Sequence, residues 1–232
     1  MKNKLSLIYF SATDATKKVL YGIASGMAID FTEYDITLPI TRKKLMTEHL
    51  TFDEDDIVVI GVPVYSGRVP ALLLPVLSDL KGKNTKTVFV VTYGGRAYDD
   101  ALLELKNILE SNGFLGIAGG AFIGEHSLAS LVAAGRPNQD DLDKANEFGK
   151  EIMKKITSLQ TGKTENSLKV SGNFPYVLVN KKGLPMGPST KVTCISCGIC
   201  ATDCPTGVIS KVDFKTIEAE GCVHCCRCVK RC

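Results

Sequence analysis

Two rhythms of apolar residues alternate along the first 160 positions. Residues 4–10 (KLSLIYF) form an apolar run of strand length. Residues 16–27 then place Val19, Leu20, Ile23, Ala24 and Met27 at helical spacing. Residues 31–37 alternate as a strand does, whereas 38–55 are polar and irregular, with one helical turn around 43–49. Residues 56–62 (DIVVIGV) and 86–92 (KTVFVVT) are nearly continuous apolar runs, as expected of strands covered on both faces. A helix is expected over 71–80. Another, over 98–112, sets Leu102, Leu105, Ile108 and Leu109 on one face and is closed by Gly113. Residues 114–124 read as a glycine-broken strand. Asn138 or Asp140 caps a last helix, with Leu142, Ala145, Ile152, Ile156 and Leu159 as its buried stripe.

Strands alternating with helices imply a parallel sheet covered on both faces. Five strands in about 160 residues suit an α/β, flavodoxin-like doubly wound sheet of order 2-1-3-4-5. Such sheets bind ligands at the carboxyl ends of their strands, beside the switch point between strands one and three. The loops that matter are therefore 11–16, 63–70 and 93–98.

Composition divides the chain. All nine cysteines lie beyond residue 193, and residues 161–232 carry ten Lys and Arg against five Asp and Glu. Three parts are expected: a first domain over 1–160, a Gly-, Pro-, Ser- and Lys-rich linker or wrapping segment over 161–190, and a cysteine domain over 191–232. A net charge of +3 gives no argument for nucleic acid or membrane. MKNKLSLIYFS lacks the features of a signal peptide, and VPALLLPVL is too short and too rich in proline to span a bilayer. A cytoplasmic protein is expected.

The 11–16 loop reads Ser-Ala-Thr-Asp-Ala-Thr. Ser11, Thr13 and Thr16 bring hydroxyls, and with Ala15 they surround a helix start, where unpaired N–H groups and the helix dipole favour an anion. The loop resembles the flavodoxin phosphate pattern T/S-x-T-G-x-T, with Asp14 where that pattern has Gly. A carboxylate there opposes a phosphate unless it turns away. The plainer reading is that the hydroxyls cap the helix.

Pro63, Val64, Tyr65, Ser66 and Gly67 follow the third strand, and Tyr93, Gly94, Gly95, Arg96 and Tyr98 follow the fourth. Each stretch offers an aromatic ring and glycine-freed backbone, surroundings suited to a flavin ring. Both loops resemble the flavin-clasping loops of flavodoxins and related quinone reductases. Arg68 and Arg96 either partner an anion or stand as solvated charges. His126, after the fifth strand, reads as packing or capping before catalysis, because nothing in the sequence gives it a partner.

Cys194, Cys197, Cys200 and Cys204 read C-x2-C-x2-C-x3-C followed by Pro205. In this ferredoxin run, three thiolates serve one 4Fe–4S cluster and the fourth serves another. Zinc sites instead pair their ligands, typically as C-x2-C plus C-x2-C. Cys222, Cys225, Cys228 and Cys232 supply the second copy. By the crossed rule, cluster one takes Cys194, Cys197, Cys200 and Cys232, and cluster two takes Cys222, Cys225, Cys228 and Cys204. Cys226 is unassigned. Val208, Ile209, Val212 and Ile217 are expected to form a small core between the runs.

Taken together, YFSATDAT, GVPVYSGRVPA, TYGGRAYDDALLEL, AGGAFIGEHS and the two cysteine runs resemble bacterial flavodoxin–ferredoxin fusion proteins, sometimes called ferrodoxins. The resemblance implies an FMN domain followed by a small α+β ferredoxin domain with two 4Fe–4S clusters. Intramolecular electron transfer follows from that pairing, in an electron carrier serving unidentified redox partner proteins. An oxidoreductase acting on a quinone or nitro compound is the alternative, and a non-redox scaffold with an apo flavodoxin fold is a third reading. No G-x-G-x-x-G sits in a second βαβ unit, so direct use of a nicotinamide is disfavoured.

Overall fold

A computed structural model describes residues 4–129, 131–160, 167–178 and 186–232. Five parallel strands make the main sheet: β1 (Leu5–Tyr9), β2 (Phe31–Asp35), β3 (Ile57–Pro63), β4 (Thr85–Tyr93) and β5 (Phe114–Ile123). Across the sheet they run β2-β1-β3-β4-β5, which is the 2-1-3-4-5 order of the flavodoxin-like fold. Tyr9 pairs with Gly61, Pro63 with Thr92 and Tyr93 with Ile123, so the carboxyl ends of the four inner and neighbouring strands gather at one edge.

Alternate residues of the buried strands feed two apolar layers. Leu5, Leu7 and Tyr9 with Val59 and Val90 pack beneath α1 (Ala15–Met27) and α5 (Gln139–Gln160). Ile8, Phe10, Ile60, Val62 and Val91 face α2 (Pro39–Glu48), α3 (Leu74–Asp79) and α4 (Ala101–Glu110). Each aliphatic side chain fully buried here contributes about 1.5–3 kcal/mol of transfer free energy. α1 and α5 touch backbone to backbone: a Cβ on Gly26 would stand 1.9 Å from the Asn146 carbonyl oxygen, and one on Gly149 2.1 Å from that of Ile23. In the stripe of α5, Ala145, Ile152 and Ile156 are buried and Leu142 is half-buried. The Leu159 side chain lies outside the described residues.

Several local expectations are corrected. Residues 39–48 form a full helix rather than one turn, opened by Pro39 in its first turn, where the missing N–H costs nothing. The 71–80 helix starts as a 3₁₀ turn over Ala71–Leu73. A two-residue parallel pairing of 51–52 with 81–82 adds a minor sheet.

In the 161–190 stretch, residues 161–166 and 179–185 lie outside the described residues. Residues 167–178 wrap the first domain: Asp100 accepts from the Asn173 N–H at 2.8 Å and the Val177 N–H at 2.7 Å. Beyond it, α6 (Ile199–Thr202) and α7 (Arg227–Arg231) flank an antiparallel bridge between Ile209 and Ile217. Ala201, Cys204 and Ile209 form the small core there, with Val208 and Ile217 against it. Val212, expected in that core, is 93% exposed; it sits in the turn between the bridged segments. Among the described residues no helix is long and apolar enough to cross a membrane.

Candidate functional site

A cavity of about 360 Å³ opens at the carboxyl ends of the strands. The loop after β1 supplies Ser11, Thr13, Ala15 and Thr16; the loop after β3 supplies Pro63 to Gly67; the loop after β4 supplies Tyr93, Gly94 and Arg96. Twelve of the fourteen residues singled out above thus share one space. Gly95 and Tyr98 do not line it. Gly95 faces Val132, and Tyr98 stands edge-on behind Tyr93, with ring centroids 5.7 Å apart.

The 11–16 loop is firmly built. Ser11 Oγ accepts the Lys17 N–H at 3.0 Å, so Ser11 does cap the helix. Its own N–H donates to Thr37 Oγ1 at 2.9 Å, a partner from beyond β2 that no local signal announced. The Thr16 and Thr92 hydroxyls lie 2.6 Å apart. Ala15 and Thr16 open α1, where first-turn N–H groups have no intrahelical partner. Asp14 has φ 65°, the left-handed conformation that explains Gly in the flavodoxin pattern. Its carboxylate leaves the cavity and faces Arg231 at 3.6 Å. The expected conflict with an anion is therefore absent.

The loops after β3 and β4 have distinct supports. Tyr65 and Arg68 exchange backbone hydrogen bonds at 3.0 and 3.1 Å across Ser66 and Gly67, both at positive φ, as in a type I′ turn. Burial pushes the Tyr65 phenol well up, and the neighbouring Cys225 and Cys226 push it further. Arg68 is no anion ligand. It makes a forked pair with the buried Glu104 at 2.6 and 2.8 Å and lies over the Tyr176 ring at 4.5 Å. Arg96 lines the cavity and pairs with Asp99.

Position 126 caps, as expected, and also lines the cavity. His126 Nδ1 accepts from the Leu128 and Ala129 N–H groups at 3.2 and 3.1 Å. In the neutral ring that leaves the proton on Nε2.

Two wall residues come from far along the chain. Val223 and His224, between cysteines, close the same cavity from the C-terminal segment. Their only sequence signal was their place beside Cys222 and Cys225.

Next to it lies a second cavity of about 280 Å³, lined by Cys204, Cys222, Cys225 and Cys228. These are the four thiols that the crossed rule assigns to cluster two, and Cys226 stands in the same wall. Burial pushes the Cys225 thiol up to about 11, and Cys204, Cys228 and Cys222 add to the shift. Burial also raises Cys228. Cys204 goes the other way. Burial would raise it, but the Thr206 hydroxyl and the N–H groups of Thr206, Val208 and Gly207 donate to it and lower it.

Of the other set, Cys200 packs against the small core, Cys194 accepts the Ser196 N–H at 3.4 Å, and Cys197 and Cys232 are exposed. Among the described residues, no three His, Cys, Asp or Glu side chains converge closely enough to hold a single metal ion. The two cavities have Leu128, Val223 and His224 in common.

No family model matches the chain. No curated protein matches it either. Among solved structures, it is similar to a flavodoxin from the domain Archaea, at 13% identity over 66% of this chain and 99% of that one, with a TM-score of 0.46. A Streptococcus pneumonia TIGR4 flavodoxin gives 15% identity over 66% and 99%, with a TM-score of 0.44. The flavodiiron core of Flv1 from Synechocystis sp. PCC6803 gives 16% identity and a TM-score of 0.47 over 68% of this chain, which spans 37% of that one.

Proposed function

We propose that the protein transfers electrons between FMN, held in the 360 Å³ cavity, and two 4Fe–4S clusters held by the cysteines. The observation that carries this reading is the common wall: the cavity fit for a flavin and the cavity lined by four cysteines are separated by Leu128, Val223 and His224.

The residues present suit both groups. The flavin cavity joins a helix N-terminus ringed by hydroxyls to two tyrosines, and its volume falls within the roughly 300–1,000 Å³ usual for small-ligand sites. Ser11, Thr13 and Thr16 with the first-turn N–H groups would hold the phosphate, and Tyr65 and Tyr93 would flank the ring. In the cysteine cavity, burial raises the Cys225 and Cys228 thiols and their cysteine neighbours add to the shift, a cost that bound iron would relieve by taking them as thiolates. A cluster of four irons spreads its ligands around a body, so its thiols need not converge as they would on one ion. When bound, FMN supplies one- and two-electron redox chemistry, and each cluster exchanges single electrons.

The chain itself positions and insulates. Val223 and Leu128 keep the wall between the cavities apolar, and Tyr65 stands against Cys225 and Cys226 from the flavin side. His224 fixes its own place in that wall by donating from Nε2 to the Met186 carbonyl at 2.7 Å. Cys194, Cys197, Cys200 and Cys232 would hold the cluster nearer solvent, where a redox partner protein exchanges electrons with it.

A second reading, reduction of a small acceptor such as a quinone or nitro compound, draws on His126. Its Nε2 proton belongs to a residue of the flavin cavity, where a donor serves a substrate as well as a cofactor. Anaerobic reduction of the reconstituted protein tests the main reading. Flavin and cluster absorbance should come to redox equilibrium together, whereas clusters that reduce while the flavin stays oxidised would contradict it.

A further inference from the structure

The first domain's anion loop is gripped from the C-terminal segment by one buried cation. Arg227 sits between Cys226 and Cys228 and is 8% exposed. Its Nη1 donates to the carbonyl oxygens of Ala12 at 3.0 Å and Ser11 at 3.4 Å. Its Nη2 faces Asp203, the residue before Cys204, at 3.5 Å. Arg231 reaches the same Asp203 at 3.6 Å and also Asp14 in the loop.

This arrangement sets the direction of the loop's donors. In a trans peptide the carbonyl of one residue and the N–H of the next point to opposite sides. Holding the carbonyls of Ser11 and Ala12 toward the tail turns the N–H groups of Ala12 and Thr13 the other way, and both residues line the flavin cavity. Burying a guanidinium is costly unless it is bonded, and its Nε has no hydrogen-bond partner among the described residues. A buried, incompletely satisfied arginine at the junction points to a role beyond packing.

We propose that Arg227 is a positioning residue for the phosphate of FMN, and that assembly of a cluster on Cys204, Cys222, Cys225 and Cys228 tightens phosphate binding through it. The inference rests on the FMN reading above. Arg227 and Asp203 each neighbour a ligand in the chain, so fixing those ligands fixes the guanidinium and with it the loop. By reciprocity, bound FMN stabilises the cluster by the same factor.

Riboflavin, which has the ring without the phosphate, separates this role from a general structural one. The experiment measures affinities of FMN and riboflavin, by flavin fluorescence under anaerobic conditions, for the full chain stripped of flavin. Wild type, Arg227→Met and Arg227→Lys are compared, with iron counted in each. The ratio of FMN to riboflavin affinity should fall about tenfold in Arg227→Met and less in Arg227→Lys. It should fall similarly in wild-type protein whose iron has been removed by chelation, an arm that does not depend on how the variants fold. A ratio unchanged in Arg227→Met and in iron-free wild type, even with both affinities lowered, overturns the inference. A wild-type protein that binds neither flavin overturns the FMN reading itself.

Discussion

The carboxylate of Asp14 faces the guanidinium of Arg231 at 3.6 Å, so the residue that breaks the flavodoxin glycine pattern points at the cysteine segment and not into the cavity. Both side chains are about half exposed, and such a pair contributes at most about 1 kcal/mol. The left-handed backbone of a non-glycine costs about as much. Asp14→Gly should therefore change stability by no more than about 1 kcal/mol and leave FMN affinity undiminished. Asp14→Ala, which keeps the strain and loses the pair, should be less stable than Asp14→Gly. Thermal melts and flavin fluorescence titrations check both, and a large loss of affinity in Asp14→Gly would show that the carboxylate serves the site.

Five thiols line the cysteine cavity, and the spacing along the chain sets Cys226 apart from the other four. Cys225→Ala removes one of the four thiols proposed to hold a cluster in that cavity and should lower bound iron from about eight to about four per chain, as should Cys204→Ala. Cys226→Ser should leave the iron content at the wild-type value. Colorimetric iron and sulfide determination on anaerobically prepared protein reads all three.

Arg68 and Glu104 hold the loop after β3 in place. Arg68→Met leaves the Glu104 carboxylate buried and unpaired, at a cost of about 3 kcal/mol. The same change frees the 63–70 loop, so FMN affinity should fall with stability. Adding Glu104→Leu removes the stranded charge and should recover most of the stability, as urea denaturation would record.

Asp100 ties down the wrapping segment through the Val177 and Asn173 N–H groups, and those bonds hold its carboxyl below the usual carboxylate range. A depressed folded-state pKa contributes stability that is present above the unfolded value, about 3.9, and is lost as pH falls toward the folded one. Protection of the Asn173 and Val177 amides, measured against the unstructured exchange rate at the same pH, should be high at neutral pH and fall as pH drops below about 4. Asp100→Ala should show the low protection already at neutral pH.

The strands of the sheet and the three loops at its edge were legible because each is a local pattern: apolar runs of strand length, a hydroxyl-rich helix start, and aromatics beside glycines. α2 was underestimated because it buries only Leu45, and its periodicity is faint; Pro39 in the first turn was the available signal. Val212 looked like core by type, yet the turn that carries it faces solvent. Local pattern hides the wall that Val223 and His224 add to the cavity at the strand ends. That contact joins segments about 100 or more residues apart and depends on ion pairs such as Lys230 with Glu125 and Arg231 with Asp14, which no local periodicity encodes.

Under the proposed function, adjoining cavities hold a flavin and a cluster. Purification under anaerobic conditions, followed by quantification of flavin, iron and sulfide, tests it most directly. About one FMN and about eight irons per chain are the result predicted here. Protein that carries zinc on its cysteines and takes up no flavin would contradict it.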